Sequence, residues 1–380
     1  MPSSISSFEV PGLVRRTASD RPGEAQPVPE RDIPAQPWGP ILLGGLALML
    51  ALLAGWEWYW RDFGATPGYR NDESQWSAQR RRINLGEGGG MVLVGSSRVL
   101  FDVQLPVWER LTGERPIQLA LEGTSPLPVL EDLAADPDFT GQLLIGVAPD
   151  VFFSGFAYRA GALKYFHHEG PGQRVGHWLS QRLIEPYVAF YDGDFALSTV
   201  LARQPWPLRP GTHPHIRVRK LMQQEADRNS HMWSKVEADP QYRALARSIW
   251  AADMGEPLPG MATPEASKKV VDTQIARAVK ALATLRARGV KAVFLRAPSD
   301  GAYLAYENKY LPRTDSWDLL LARTATPGIH FEDYPQLQHY ELPEWSHLSA
   351  ADAQRFTAAL VPIVAQTLPL PAPGRRRAPR

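Results

Sequence analysis

The sequence predicts a layered α/β domain built on a parallel sheet, carrying a large insertion and preceded by one transmembrane helix. Three observations predict this. Short apolar runs rich in Val, Ile and Leu recur at 91–94, 117–121, 142–147 and 290–295. Segments with helical apolar spacing separate them, the order expected of parallel strands joined by crossover helices. Upstream, residues 40–55 carry no charge and run into the aromatic cluster Trp56-Glu57-Trp58-Tyr59-Trp60.

Composition narrows the function classes. The 380 residues are 44% hydrophobic and 21% charged, which fits a globular chain. Net charge is +1, so nothing favours nucleic acid as a partner. The absence of cysteine excludes disulfides, cysteine-ligated zinc, a lipoprotein anchor and a thiol nucleophile.

Taken in order, residues 1–38 are rich in Pro, Ser, Arg and Glu without hydrophobic periodicity and read as a disordered tail. Residues 39–60 read as a transmembrane helix. The uncharged run is slightly short of the roughly 20 residues a span needs, and the Trp/Tyr cluster completes it as an interfacial belt. The long preceding tail and the lack of an Ala-x-Ala site argue against a cleaved signal peptide. Residues 61–90, ending in Gly86-Glu87-Gly88-Gly89-Gly90, read as a linker.

Strand 91–94 leads through Gly95-Ser96-Ser97 into a helix near 98–112 closed by Gly113. Strand 117–121 is followed by a helix capped by Thr124 or Ser125, with Pro126 in its first turn. Strand 142–147 ends in Ala148-Pro149-Asp150. Residues 151–255 break the rhythm with aromatic clusters and a Pro-rich turn at 205–211, and read as an insertion on one sheet edge. His167-His168 and His213-Pro214-His215 lie there. Neighbouring histidines on a strand would face opposite ways and no acidic or cysteine ligand completes a set, so surface histidines are expected. Alternation resumes with a helix from Thr263-Pro264-Glu265 to Arg288 and a strand at 290–295. A weaker strand precedes Asp333, and a final helix spans 350–367. Residues 368–380 read as a disordered basic tail.

The chemistry is expected at one sheet edge. Ligands bind beyond the carboxyl ends of parallel strands. Ser97, Gly123, Asp150, Ser299 and Asp300 each follow a strand, and His347 precedes a helix. Ser97, at a helix start with free N–H groups, is the candidate nucleophile, and His347 its base. A carboxylate on the far ring nitrogen would fix the tautomer. Glu344 is nearest in sequence and Asp333 is the reserve. A lipase-type elbow needs Gly-x-Ser-x-Gly, which Val99 breaks.

Val94-Gly95-Ser96-Ser97 resembles the serine block of the SGNH (GDSL-type) hydrolases, with Ser96 for the usual Asp. Glu344-Trp345-Ser346-His347 resembles their Asp-x-x-His block, with Glu for Asp. The match is closest to a membrane-anchored bacterial branch with a Gly-Ser-Ser-Arg block, and covers roughly residues 91–150 and 270–365. The resemblance implies a three-layer α/β/α sandwich and serine-mediated ester hydrolysis or acyl transfer without metal or cofactor. Ser97 takes the nucleophile position and His347 the base. Gly123 takes that of the oxyanion glycine, acting with the Ser97 N–H. Arg98, Asp150, Ser299 and Asp300 are the weaker substrate-binding expectations. The third block usually supplies an asparagine; here it reads Gly146-Val147-Ala148-Pro149-Asp150, and Asn229 from the insertion is an available substitute. Related envelope proteins, such as alginate acetyltransferases, act on polysaccharides outside the inner membrane. An envelope glycan or acyl ester is therefore the implied substrate, and the domain is placed in the periplasm. Arginine counts alone (Arg61, Arg70 and Arg80-Arg81-Arg82 after the span, Arg21 and Arg31 before it) point the other way.

Two other readings stand beside the enzyme. One is a non-catalytic glycan-binding or assembly protein using Trp178, Trp206 and Trp233. The other is a partner subunit for a membrane acyl-donor protein.

Overall fold

The computed structural model describes residues 36–204, 218–252 and 254–370. The expected disordered tails and the features at Pro205–Gly211, Trp206, His213 and His215 therefore lie wholly or mostly outside the described residues. The chain divides into two units, Met1–Ala54 and Gly55–Arg380.

In the first unit, the described residues after Pro37 belong to helix α1, Trp38–Phe63, which continues into the second unit. Its 26 residues extend about 39 Å, more than the roughly 30 Å of a bilayer's hydrocarbon core. It is long and apolar enough to cross a membrane. The helix runs three residues beyond the expected span of 39–60 at its C-terminal end. The aromatic cluster is also divided. Trp58 is 71% exposed, whereas Trp60 is buried and stacks at a tilt on Phe195, with centroids 4.9 Å apart. Trp60 thus belongs to the domain core and not to an interfacial belt.

The second unit begins with a correction. Residues 61–90 are not a bare linker: they contain α2, Glu73–Arg82, and a π-helical turn, Ile83–Glu87. Trp76 is fully buried and its indole N–H donates to the Leu119 carbonyl at 3.0 Å. Arg80 is buried and pairs with Asp132 and Asp136, each at 2.7 Å. Apolar periodicity misses α2 because Gln75, Ser77, Gln79 and Arg80, most of what it buries, are polar.

Strand β1, Met91–Val94, is followed by α3, Ser97–Asp102, and α4, Leu105–Thr112. The single helix expected over 98–112 is two. Pro106 cannot donate back into a continuous helix, and Val103 is extended at φ −103°. Thr357 repairs the break: its hydroxyl accepts from Gln104 N–H at 2.8 Å and donates to the Asp102 carbonyl at 3.0 Å. Strand β2 is only Ile117–Gln118, although Leu119 and Leu121 N–H still bond Leu93 and Gly95 carbonyls. Then come α5, Leu127–Ala135, β3, Gln142–Gly146, and α6, Pro149–Ser154. Pro126 holds the N-cap position of α5, and Ser125 Oγ accepts from the first helical N–H, that of Leu127, at 3.4 Å. Thr124 Oγ1 accepts from Arg159 N–H instead, at 2.7 Å.

The insertion carries α7, Gly161–His168, α8, Pro171–Leu183, and α9, Leu197–Ala202. An antiparallel hairpin of β4, Met222–Gln224, and β5, Ser230–Met232, precedes α10, Ser234–Ala238, and α11, Pro240–Ala251. His167 and His168 are on α7 and not on a strand; His167 Nε2 lies 2.6 Å from Asp132 Oδ1. Trp233 is buried in the core, which removes it as a sugar-stacking surface.

Next are α12, Pro264–Ala287, capped by Thr263, β6, Lys291–Arg296, and α13, Gly301–Tyr310. The chain closes with α14, Trp317–Thr324, β7, Gly328–His330, and α15, Ala350–Thr367. Strand β6 sits one residue later than expected. Leu368 is buried, so the basic tail cannot begin there.

The fold is mixed α/β, mostly helical, around a five-stranded sheet in the order β2-β1-β3-β6-β7 with every pairing parallel. Side-chain alternation divides its apolar residues between two clusters. Leu93, Leu144, Val293 and Leu295 join Phe101, Trp108 and the α15 residues Phe356 and Leu360. Val92, Val94, Leu143, Ile145 and Phe294 join α5 and α12 through Leu130, Leu133, Ile275 and Leu282. From β1 the chain moves first to β2 on one side, then to β3 on the other. That reversal makes the carboxyl ends of β1 and β3 the topological switch point of the sheet.

Candidate active site

Ser97 follows β1 at this switch point. It is the first residue of α3 and partly exposed; Ser96, buried, holds the N-cap position and makes no side-chain cap. The short turn depends on close packing. A Cβ on either Gly95 or Gly146 would collide with Val99, which seats α3 on the ends of β1 and β3.

The loop Glu344–His347 docks along α3 through three consecutive residues. Arg98 Nε donates to the Ser346 carbonyl at 3.2 Å. The His347 ring stacks on Phe101, with centroids 4.2 Å apart, and Leu348 N–H donates to Asp102 Oδ1 at 3.0 Å. Phe101 lies one helical turn after Ser97, so the imidazole is held beside the helix that begins with the serine.

Within the loop, Glu344 and His347 are both buried. Glu344 Oε1 accepts from His347 N–H at 2.7 Å and lies 2.8 Å from His347 Nδ1. Nδ1–H donating to this carboxylate leaves Nε2 as the basic nitrogen. Nε2 is buried and has no hydrogen-bond partner among the described residues. Trp250 Nε1–H donates to the other oxygen, Glu344 Oε2, and Arg247 donates to the Pro343 carbonyl at 2.8 Å. Helix α11 of the insertion thereby clamps the loop. Trp345 sits at φ 75°, a conformation costing a non-glycine residue about 1–3 kcal/mol. Its carbonyl accepts from Asp300 N–H at 2.8 Å, and its ring packs on Gly301.

Gly123 follows β2 at φ 55°, and its carbonyl accepts from Tyr158 N–H at 3.2 Å. Asp333, the reserve orienting carboxylate, is instead exposed and paired with Arg313 at 2.7 Å. Asn229 is also elsewhere: its Oδ1 accepts from Leu105 N–H at 2.8 Å and its amide faces Gln104, committing it to the hairpin.

The expected substrate-binding residues are mostly engaged in a buried network that sequence reasoning missed. Arg98 Nη1 lies 2.8 Å from Glu307 Oε1, and Arg296 Nη2 lies 2.7 Å from Glu307 Oε2. Ser299 Oγ donates to Glu307 Oε2 at 2.6 Å. Tyr303 O–H donates to Asp150 Oδ2 at 2.7 Å, and the Arg98 guanidinium lies 5.0 Å from the Tyr303 ring centroid. Burial and the neighbouring Glu307 push the Asp150 carboxyl up. Asp300 is exposed and caps α13. Arg98 and Ser299 are therefore both tied to Glu307, although Arg98 Nη2 has no hydrogen-bond partner among the described residues. Trp250, Tyr303 and Glu307 carry no local signal, because their partners are distant in sequence. Phe101 does, standing four residues after Ser97 on a helix.

Asp102 is the remaining buried acid. Its Oδ2 has no hydrogen-bond partner among the described residues. Burial pushes its carboxyl up to about 7, against the pull of His347, the Leu348 N–H and Arg98. Between about pH 4 and 7 the unfolded chain releases this proton while the folded chain retains it, so stability falls as pH rises and levels off above 7. Asp102→Asn keeps an acceptor for Leu348 N–H and removes the charge. Relative to the parent, it is expected to gain on the order of 3 kcal/mol between pH 5 and 8 in urea unfolding. A stability difference that does not change with pH would contradict this.

Among the described residues, no three His, Asp or Glu side chains converge to hold a metal ion. No family model matches the chain, and no curated protein matches it. The functional reading therefore rests on the residues themselves.

Proposed function

We propose that this chain is a membrane-anchored serine esterase or O-acyltransferase of the SGNH type, acting on ester groups of a cell-envelope polysaccharide. The observation that carries the reading is the His347–Glu344 pair. Its Nδ1 faces a buried carboxylate, its Nε2 is unpartnered, and its loop is tied to the helix that starts at Ser97.

Ser97 Oγ attacks the acyl carbonyl as His347 Nε2 takes its proton. Glu344 holds the imidazole and stabilises its charged form. The N–H groups of Ser97 and Gly123 hold the oxyanion. Collapse breaks the ester C–O bond, and His347 passes the proton to the leaving alkoxide. Water or a sugar hydroxyl then gives its proton to His347, attacks the acyl-enzyme and frees Ser97. His347 Nε2 has no hydrogen-bond partner among the described residues, so the Ser97 Oγ–Nε2 hydrogen bond is one that substrate binding must complete.

The two apolar clusters on alternating sheet residues support a three-layer α/β/α sandwich. The family resemblance supports a periplasmic domain on the bacterial inner membrane, and α1 supplies the anchor. A membrane protein that delivers the acyl group is the partner a transferase would need. The glycan-binding alternative is weakened by the buried Trp233, which leaves Trp178 as the exposed tryptophan among the two described.

The test is covalent. The full-length protein is treated with a fluorophosphonate and mapped by peptide mass spectrometry. A single adduct on Ser97, lost in His347→Ala, is the expected result, together with acetyl release from p-nitrophenyl acetate that Ser97→Ala abolishes. No adduct, with equal acetyl release from both proteins, would sink the hydrolase.

A further inference from the structure

Helix α8, Pro171–Leu183, is built inside out. None of its 13 residues is buried. Its least exposed side chains are polar: His177, Ser180 and Gln181. Ser180 Oγ donates to Glu185 Oε1 at 2.6 Å, and Gln181 donates to Gln75 on α2. Its outward residues are apolar: Val175 is 56% exposed, Trp178 54% and Leu183 65%, with Leu179 beside them. A surface helix in water shows the opposite order, with its apolar stripe turned inward. The pattern continues past the helix into Tyr187, 65% exposed. Most large exposed apolar residues outside α1 fall between Phe156 and Leu201. Exposed apolar side chains concentrated on one stretch in this way mark a surface meant to be covered.

The hydrogen bonds of the following segment indicate what covers it. Glu57, the first charged residue after the apolar run of α1, accepts from the N–H groups of Ala189 and Phe190 at 2.9 and 3.0 Å. Arg61 donates to the Tyr187 carbonyl at 3.0 Å. Glu57 stands only about 4.5 Å along the helix axis beyond Ala54, where the apolar run gives way to aromatic and charged residues. Segment 187–190 is thus fastened to the turn of α1 that emerges from the hydrocarbon. Helix α8 ends at Leu183, shortly upstream of this fastened segment.

We infer that the outward face of α8, continued by Tyr187, lies in the headgroup–acyl boundary of the membrane that α1 spans, as a second, in-plane attachment. An amphipathic helix with Trp and Leu on its apolar face and arginines beside it takes this position. Arg182 lies over the Trp178 ring, 5.5 Å from its centroid, and from there reaches lipid phosphates while its stem stays among apolar groups.

The inference rests on α1 as a membrane anchor and not on the serine chemistry. Its test is therefore independent of activity. The chain lacks cysteine, so single nitroxide labels are introduced by Val175→Cys and Leu183→Cys in the full-length protein. Leu46→Cys reports the span. Val279→Cys, an exposed apolar position on α12, reports ordinary surface. In phosphatidylethanolamine–phosphatidylglycerol vesicles, labels at 175 and 183 are expected to collide with lipid-dissolved oxygen more than with a water-soluble nickel chelate, like the label at 46 and unlike that at 279. Labels at 175 and 183 that match 279 overturn the docking. So does spin–spin broadening between copies, which would mean that the face meets another protein chain. A label at 46 exposed to the nickel chelate overturns the anchor and the docking together, and leaves the Ser97 adduct to judge the enzyme separately.

Discussion

Glu344→Gln is expected to reduce ester turnover by roughly 10⁴-fold, the scale of losing the carboxylate behind a catalytic imidazole. The reason is a count of donors. Glu344 receives three: the backbone N–H and Nδ1–H of His347 on one oxygen, and the Trp250 indole on the other. A carboxylate has two acceptor oxygens; glutamine has one, and its amide is a donor. If the amide oxygen stays with His347, the amide nitrogen meets the Trp250 N–H, two donors face to face in a buried site. If it turns to Trp250, the amide nitrogen meets the ring, Nδ1 must accept, and the proton moves to Nε2. Nε2 then carries the proton and no longer offers a lone pair as base. Steady-state kinetics on an activated ester measure the loss. Unfolding in urea, where a modest drop of about 1–3 kcal/mol is expected for the unpaired donor, shows that the fold survives. Turnover within tenfold of the parent would remove Glu344 from the mechanism.

Glu307→Leu is expected to destabilise the domain by about 3–5 kcal/mol, the cost of stranding buried charges. Glu307 pairs with both Arg98 and Arg296, and all three are buried. Removing it leaves two guanidiniums facing each other in the core. Arg98 also holds the Ser346 carbonyl, so the His347 loop should loosen and turnover fall with stability. A triple variant, Glu307→Leu with Arg98→Met and Arg296→Met, should recover much of the stability but not the activity, separating charge balance from loop positioning. The pH dependence has a defined sign. Burial raises the Glu307 carboxyl, but Arg296 and Arg98 outweigh it, and the net effect is a value below the ordinary one. Its stabilisation is therefore present above the unfolded value of about 4.3 and is lost as pH falls further toward the folded one. The parent should show this acid loss and Glu307→Leu should not.

The Asp102 and Glu307 effects run in opposite directions because their partners differ. Glu307 sits between two arginines. Asp102 Oδ1 is met by a backbone N–H, while Oδ2 has no hydrogen-bond partner among the described residues. Neither environment can be read from the local sequence.

What the sequence by itself determined is whatever depends on near neighbours. The four buried residues of β1, the apolar runs of β3 and β6, the cap and end of α12 and the bounds of α15 all follow from local periodicity and capping. So does the pairing of Glu344 with His347, three residues apart. Where local rules failed, a distant group had intervened. Arg80 turned a polar stretch into a buried helix by finding Asp132 and Asp136, and Thr357 absorbed the break that Pro106 makes between α3 and α4. Asn229 and Arg98, free by composition, were taken by Leu105 and Glu307. Only the tertiary structure could decide these, because a buried polar group is stable only when paired, and its partner here lies tens to hundreds of residues away. The same holds for α8. Which side of it faces the protein is set by His177, Ser180 and Gln181, the least exposed of its side chains, and this leaves its apolar residues outward.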